Sequence, residues 1–371
     1  MEQSLLTNLR DVFTPAVREA MRRKDLTQEE LLMRLGYSRR TLLDSFSMEK
    51  RCELEFLLDA PANELWNFSP EQADDFELAR RSFEQRFCTV EAVEWAKKFP
   101  ARDLERLGMI CGTSGKSFAE RFKSGLLPRE LMKFMGVVSV AAWKKAYAVA
   151  QGTVNPQVYS AWIRLGELQV RRPSGELCLF REIIANNMMF LRRNAFMLRE
   201  NLRQVVVDTL KKCDVTVLQV PAFITAPAPR AAFFWKGLRP VLLLPTSRTS
   251  DSDFLEAVSH MVGHLLQSHS KRPCLLTSKL AAEFAENGLR ENNRDALKDP
   301  CCKEAERTAE NLLLTEAEEC EIICTGRFAE RRCIEFFSGK FHVRPGVIVS
   351  RLQQQKKIPA RSPLNALKVA V

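Results

Sequence analysis

Apolar residues recur at three- and four-residue intervals along most of this chain, which predicts amphipathic helices. The period is clear in LTQEELLMRLGYSRRTLLDSF, where Thr27 and Ser38 stand as N-caps and Gly36 can take a left-handed turn between them. Short helices are expected over residues 8–66. Residues 70–170 read as further helices, broken at Pro100, Gly112 to Gly115, Pro128 and Gly152. The pattern changes near residue 213. CDVTVLQVP and RPVLLLP are short β-branched or apolar runs bounded by Pro, and AAFFW lies between them, so three strands are predicted. Helical periods return at 252–268, 302–325, 328–338 and 345–354. The expected fold class is mainly α with an α+β C-terminal domain. The expected division is a helix-turn-helix head over 1–68, a helical middle over 69–175, and a C-terminal domain over 176–371.

Composition narrows the class. With 46% hydrophobic and 27% charged residues, the 371-residue chain has the make-up of a globular protein. No apolar run nears the roughly 20 residues of a membrane span, so no membrane partner is expected. The start, MEQSLLTNLRDVF, lacks a signal-peptide layout. A cytoplasmic location follows, with the eleven cysteines as reduced thiols. The formal charge of +10 permits a nucleic-acid partner, but its location matters. Lys340 to Val371 holds seven Lys/Arg and no Asp/Glu, and 181–240 holds ten basic against four acidic residues. The first 60 residues are near neutral, with ten basic and eleven acidic.

Any DNA contact by the head must therefore rest on pattern. Thr27 to Phe46 fits two short helices joined by a glycine turn, and LTQEELLMRLGYSRRTL resembles the phage-repressor-like helix-turn-helix family. SFSMEKRCELEF lacks that family's closing Glu-x-Gly turn. The resemblance implies a second helix starting at Ser38 that presents Arg39, Arg40, Thr41 and Asp44 to base edges, with Gln28 on a phosphate. It also implies an operator DNA partner and a homodimer, because such motifs pair on half-sites. The competing expectation is a plain helical bundle, which the neutral charge favours. In GVVSVAAWKKAY, Trp143 and Tyr147 lie one turn apart and read as core.

DFLEAVSHMVGHLLQSHS carries the chemistry. His260 and His264, two of only four histidines, are spaced i, i+4, which puts both imidazoles on one helix face within reach of one metal ion. Zinc peptidases use this spacing as H-E-x-x-H, with the Glu as general base. Here Met261 occupies that position, and a thioether takes no proton at neutral pH.

Several segments in order resemble the ImmA/IrrE-type metallopeptidase-like family, in its long members with an N-terminal helix-turn-helix, the HigA-type antitoxin-like regulators. They are MGVVSVAAWKKAY, AWIRLGELQ, CDVTVLQVP, AAFFWKGLRPVLLLPTSRTSDSDFLEAVSHMVGHLL, EAERTAENLLLT and FHVRPGVIVSRLQQQKKIP. The resemblance implies a zincin-like, degenerate metallopeptidase domain, with zinc as cofactor on His260, His264 and Glu304. Cys302 is the alternative third ligand. Thr308 and Thr315 stand where the family has Phe and Pro, which leaves the register open. Three outcomes compete: a pseudo-peptidase that keeps its metal, an enzyme using Glu256 or Glu306 as base, or loss of both metal and activity. What the resemblance implies is a transcriptional regulator of toxin–antitoxin or phage-defence type, with a toxin or repressor as partner protein. The alternatives are an active zinc endopeptidase that cleaves a repressor, and an interaction module without DNA or metal.

Other features read more plainly. Cys301, Cys302, Cys320 and Cys324 are expected as buried thiols. TSGKS at 113–117 is expected as an ordinary loop. The basic stretch from Lys340, lacking counter-charges of its own, is either a polyanion contact or a solvated surface.

Overall fold

Helix starts are written into the chain as reciprocal hydrogen bonds. Thr27, Ser69, Ser117 and Thr315 each close a capping box onto Glu30, Gln72, Glu120 and Glu318, satisfying backbone N–H groups that a helix leaves open. The computed structural model describes residues 13–38, 46–111, 115, 117–151, 153, 155–171, 181–197, 201–226, 229–237, 239–267, 273–276 and 300–371. These residues are mainly helical, with a four-stranded mixed sheet in the C-terminal region. Among them, no helix is long and apolar enough to cross a membrane.

The chain forms two compact units. The first comprises Met1–Gln151, Asn155–Arg164 and Phe223–Ala226. Its helices include α1 (Pro15–Arg23), α2 (Gln28–Leu35), α3 (Met48–Leu58), α4 (Pro70–Gln85), α5 (Leu126–Met135) and α6 (Val140–Ala146). The expected head and most of the expected middle thus share one unit. The reason is visible at α2, whose buried Leu31, Leu32 and Leu35 are too few to make a core alone. Gly36 ends α2 with φ +77°, and a Cβ there would stand 3.3 Å from Ala142 of α6. Lys145 Nζ donates to the Gly36 carbonyl at 2.7 Å, and Arg34 Nη1 donates to the Met135 carbonyl at 3.0 Å. Trp143 and Tyr147 are buried as core, Trp143 Nε1 donating to Ser160 Oγ at 3.0 Å. Ser117 caps the helix Phe118–Lys123, while most of TSGKS lies outside the described residues.

The second unit holds α7 (Arg181–Met197), α8 (Leu202–Lys211), β1 (Thr216–Val220), β2 (Ala231–Lys236), β3 (Arg239–Pro245), α9 (Asp251–Leu266), β4 (Cys274–Leu276), α10 (Pro300–Leu313), α11 (Glu316–Cys324), α12 (Arg331–Phe341) and α13 (Pro345–Gln354). The sheet order is β1-β3-β2-β4, with β1 parallel to β3 and β2 antiparallel to both of its neighbours. β3 is buried over Pro240 to Pro245, which explains its unbroken apolar run. β4 had no counterpart in the hydrophobic pattern, because three residues are too few to show alternation.

One expectation needs correction here and another is narrowed. Three cations of the basic C-terminal stretch draw counter-charges from distant sequence, while Lys356, Lys357 and Arg361 stay exposed. Lys340 pairs with Glu321, Arg344 with Asp251 at 2.7 Å, and Arg351 with Glu310 at 2.7 Å. Val347, Ile348, Val349 and Leu352 of α13 are core. Cys320 and Cys324 are exposed rather than buried. α11 turns Glu319 and Ile322 inward, and positions two residues from Ile322 in either direction point away from it.

Candidate metal centre

The helix that carries the histidines is fixed at its start. Ser250 caps α9 by accepting from Asp253 N at 3.1 Å, and Asp251 and Asp253 complement the positive end of the helix dipole. Asp251 is fully buried. It accepts from Arg344 Nε at 2.7 Å, Ser252 N at 2.9 Å and Val369 N at 3.1 Å, which ties the helix to the C-terminal segment. Further along, Phe254, Leu255, Ala257, Val258, Met261 and Val262 fill the core of the unit. Glu256, His260 and His264 are left along a half-buried stripe at four-residue spacing.

The two imidazoles converge. His260 Nε2 and His264 Nε2 lie 3.3 Å apart, with the rings inclined at 71°. Cys274 Sγ of β4 lies 3.3 Å from His264 Nε2, brought there because Cys274 stands opposite Phe233 of β2. These three ligand atoms all fall within 4.8 Å of one another. Cys302 lies in the first turn of α10 and is not among these converging atoms. Interactions with Cys274 foremost, then His260 and His264, pull its thiol down to about 3 against the opposing effect of burial.

Gly263 allows this approach. A Cβ at that position would collide with the Ala305 carbonyl oxygen and stand 3.0 Å from the carbonyl carbon, so α9 and α10 cross backbone against backbone. Gln267 Nε2 donates to Thr308 Oγ1 at 3.0 Å one turn further on.

The donor set suits a borderline-soft ion. Zinc–nitrogen bonds of about 2.0–2.1 Å in a tetrahedron put the two nitrogens roughly 3.3–3.4 Å apart, and the imidazoles stand at 3.3 Å. Thiol and imidazole donors, with no carboxylate converging on them among the described residues, favour zinc over magnesium or calcium.

Other sequence-derived candidates fall elsewhere. Glu304 is exposed and is not among the converging atoms. Two residues along a helix turn a side chain by about 200°, so Glu304 and Cys302 face opposite ways. Met261 is 1% exposed and packs in the core. Glu256 is held by Arg230 Nη2 at 3.3 Å, and Glu306 is exposed. The Cys301 side chain lies outside the described residues, as do Arg39, Arg40, Thr41 and Asp44. Gln28 and Ser38 are exposed on the first unit. Cys274 was missed in the sequence. Its signal was a cysteine ten residues after His264 inside a short Cys-Leu-Leu run.

No protein-family model, curated protein or solved structure matches this chain. The converging side chains are therefore read from their own chemistry.

Proposed function

We propose that this chain is a DNA-binding regulator whose C-terminal unit is a catalytically silent, zinc-peptidase-type module that holds a metal ion without hydrolysing peptides. One observation carries it: His260 and His264 converge with Cys274, while Met261, at the general-base position, is buried in the core. His260, His264 and Cys274 would hold zinc, which when bound supplies a cross-link between helix and strand and a Lewis acid. Among the described residues, neither neighbouring candidate offers a ready base. The Met261 thioether accepts no proton, and the Glu256 carboxylate is engaged by Arg230. A zincin-like fold is supported by the order of elements, a mixed sheet followed by the histidine helix and then α10.

The DNA-reading part rests on the first unit. Its support is the capped α2, the left-handed Gly36 after it, and the exposed Gln28 and Ser38 on either side. The residues that follow, Arg39, Arg40, Thr41 and Asp44, carry base contact in this reading. A homodimer would set them on two half-sites, and the C-terminal unit would receive the partner protein, a toxin or a repressor.

The test exposes the zinc-loaded full-length protein to a random duplex pool and, separately, to a peptide library. A defined duplex should be enriched, and Arg39→Ala or Arg40→Ala should each relax one base position by about 1–3 kcal/mol. Peptides should stay intact. Chelator-sensitive cleavage would sink the silent-module half, and failure to enrich any duplex would sink the DNA-binding half.

A further inference from the structure

The first unit holds a cavity that neither the DNA reading nor the metal reading uses. It lies between α3, α4 and α5 and has a volume of about 610 Å³. Pockets that bury a small molecule run to about 300–1,000 Å³, with apolar walls and a few polar groups that fix orientation. We propose that this cavity binds a small apolar monocarboxylate, with its hydrocarbon body on a phenylalanine floor and its carboxylate on Arg129 and Arg80. The inference goes beyond the regulator reading and needs neither DNA nor metal.

The floor follows from helix periodicity. Cys52 and Phe56 are one turn apart on α3, and Phe76 and Phe83 are two turns apart on α4, so each pair shares a helix face on the cavity. Phe76 and Phe83 are buried, and the half-buried Phe56 meets Phe83 edge to face with ring centres 5.5 Å apart. Phe68, from the segment before α4, packs on Phe76 with ring centres 5.0 Å apart. Four phenyl rings thus line one cavity, which suits a hydrocarbon body.

The charged lining selects the head group. Arg129 of α5 lays its guanidinium over the Phe56 ring, 5.8 Å from the ring centre. Arg80 of α4 stands 3.8 Å from Glu55 and 3.6 Å from Glu77, both beyond hydrogen-bond length. Two planar forks that match a carboxylate therefore line the cavity without a hydrogen bond among the described residues. The third lining cation, Lys133, is engaged by Asp59 at 2.6 Å. Two of the lining carboxylates are also engaged, Asp59 by Lys133 and Lys24, and Glu55 by Ala62 N at 3.3 Å. Glu77 and Glu84 are exposed, two turns apart on the same helix as Arg80. Their charge disfavours a dianion such as a phosphate ester and limits the ligand to one negative charge on the two arginines.

The test titrates full-length protein calorimetrically with octanoate and with 4-phenylbutyrate, using octylamine and octyl phosphate as charge controls. A carboxylate should bind one to one, with octylamine and octyl phosphate at least about tenfold weaker. Arg129→Gln should weaken the carboxylate at least about tenfold, the scale of a lost charged hydrogen bond, and erase the preference over octylamine. Hexanoate should bind about tenfold more weakly than octanoate, since each buried methylene is worth roughly a factor of four. Arg129 is exposed, so its replacement should keep the fold, which circular dichroism checks. Octylamine binding as tightly as octanoate would overturn the proposal, and so would carboxylate binding that neither Arg129→Gln nor Arg80→Gln weakens. Tighter binding of octyl phosphate would reassign the cavity to phosphate esters. Failure of both carboxylates to saturate the protein at millimolar concentration would also overturn it. In that event, a sedimentation coefficient changed by Arg129→Gln would make a second copy of the chain the occupant.

Discussion

Gly263 and Ala305 meet backbone to backbone where α9 crosses α10, and no side chain larger than hydrogen fits at Gly263 without moving the Ala305 carbonyl. Gly263→Ala would ordinarily favour a helix by about 1 kcal/mol. Here the added methyl should force the helices apart, at a net cost of about 1–3 kcal/mol from overpacking. Urea unfolding reads the effect, and a stabilised variant would show the crossing to be looser than described.

Restoring the residue that peptidases use should not restore a peptidase. Met261 is buried among apolar side chains, so Met261→Glu places a carboxylate where water cannot reach it. A loss of at least about 3 kcal/mol is expected. Peptide cleavage should stay at background even in zinc-loaded protein, as assayed with a fluorogenic library. Chelator-sensitive turnover in that variant would mean the site is open.

Asp251 and Arg344 form a buried ion pair at the start of the histidine helix, with side chains 1% and 5% exposed. Arg344→Ala strands the Asp251 carboxylate and also removes a bond to the Ala195 carbonyl. Removing one partner of such a pair costs about 3–5 kcal/mol. Calorimetry should show a large drop in Tm for Arg344→Ala. The double variant with Asp251→Ala should be less than additive.

A pH-dependent link joins the N-terminal helices to the middle ones. Lys133 Nζ donates to Asp59 Oδ1 at 2.6 Å and Lys24 Nζ donates to Asp59 Oδ2 at 3.2 Å. Together, Lys133 foremost, they hold the Asp59 carboxyl below its usual range. A depressed acid stabilises the fold above its unfolded pKa, and that contribution is lost as pH falls through the folded value. Asp59→Asn should therefore cost up to about 1 kcal/mol near neutrality, modest because the pair is solvent-screened. Asn tolerates the left-handed backbone at this position, where φ is +53°. Urea midpoints of the two proteins should begin to converge as pH falls below about 4, the unfolded carboxyl value, and meet only below the lower folded one. A gap that persists in acid would assign the effect to packing.

Metal removal should be visible at the cysteines. In zinc-loaded protein the exposed Cys88, Cys111, Cys320 and Cys324 should alkylate first, while Cys274 is protected. Chelation should make Cys274 react. Mass spectrometry of modified peptides gives the order.

Much of the helical framework could be read directly from the chain. The strands over 216–220, 231–236 and 239–245 and the helix over 251–266 follow from local pattern, because burial on one face imposes a fixed period. The histidine spacing was legible for the same reason: positions i and i+4 share a face in any helix. Met261 was equally legible as a missing base, since the chemistry of a side chain does not depend on the fold.

What the sequence could not determine was which distant groups would meet. Cys274 sits in a strand too short to announce itself, and its approach to His264 depends on β4 pairing with β2. Neither Cys302 nor Glu304 is among the converging atoms, and where each points depends on the rotation of α10, which no spacing rule settles. The basic C-terminal stretch found its counter-charges at Asp251, Glu310 and Glu321, far away in sequence. By itself the sequence determined the local elements and the pair of imidazoles on one helix face, because backbone periodicity is a short-range property. The tertiary structure alone decided which thiol faces that pair, because long-range contacts are set by packing, and here by the pairing of β4 with β2.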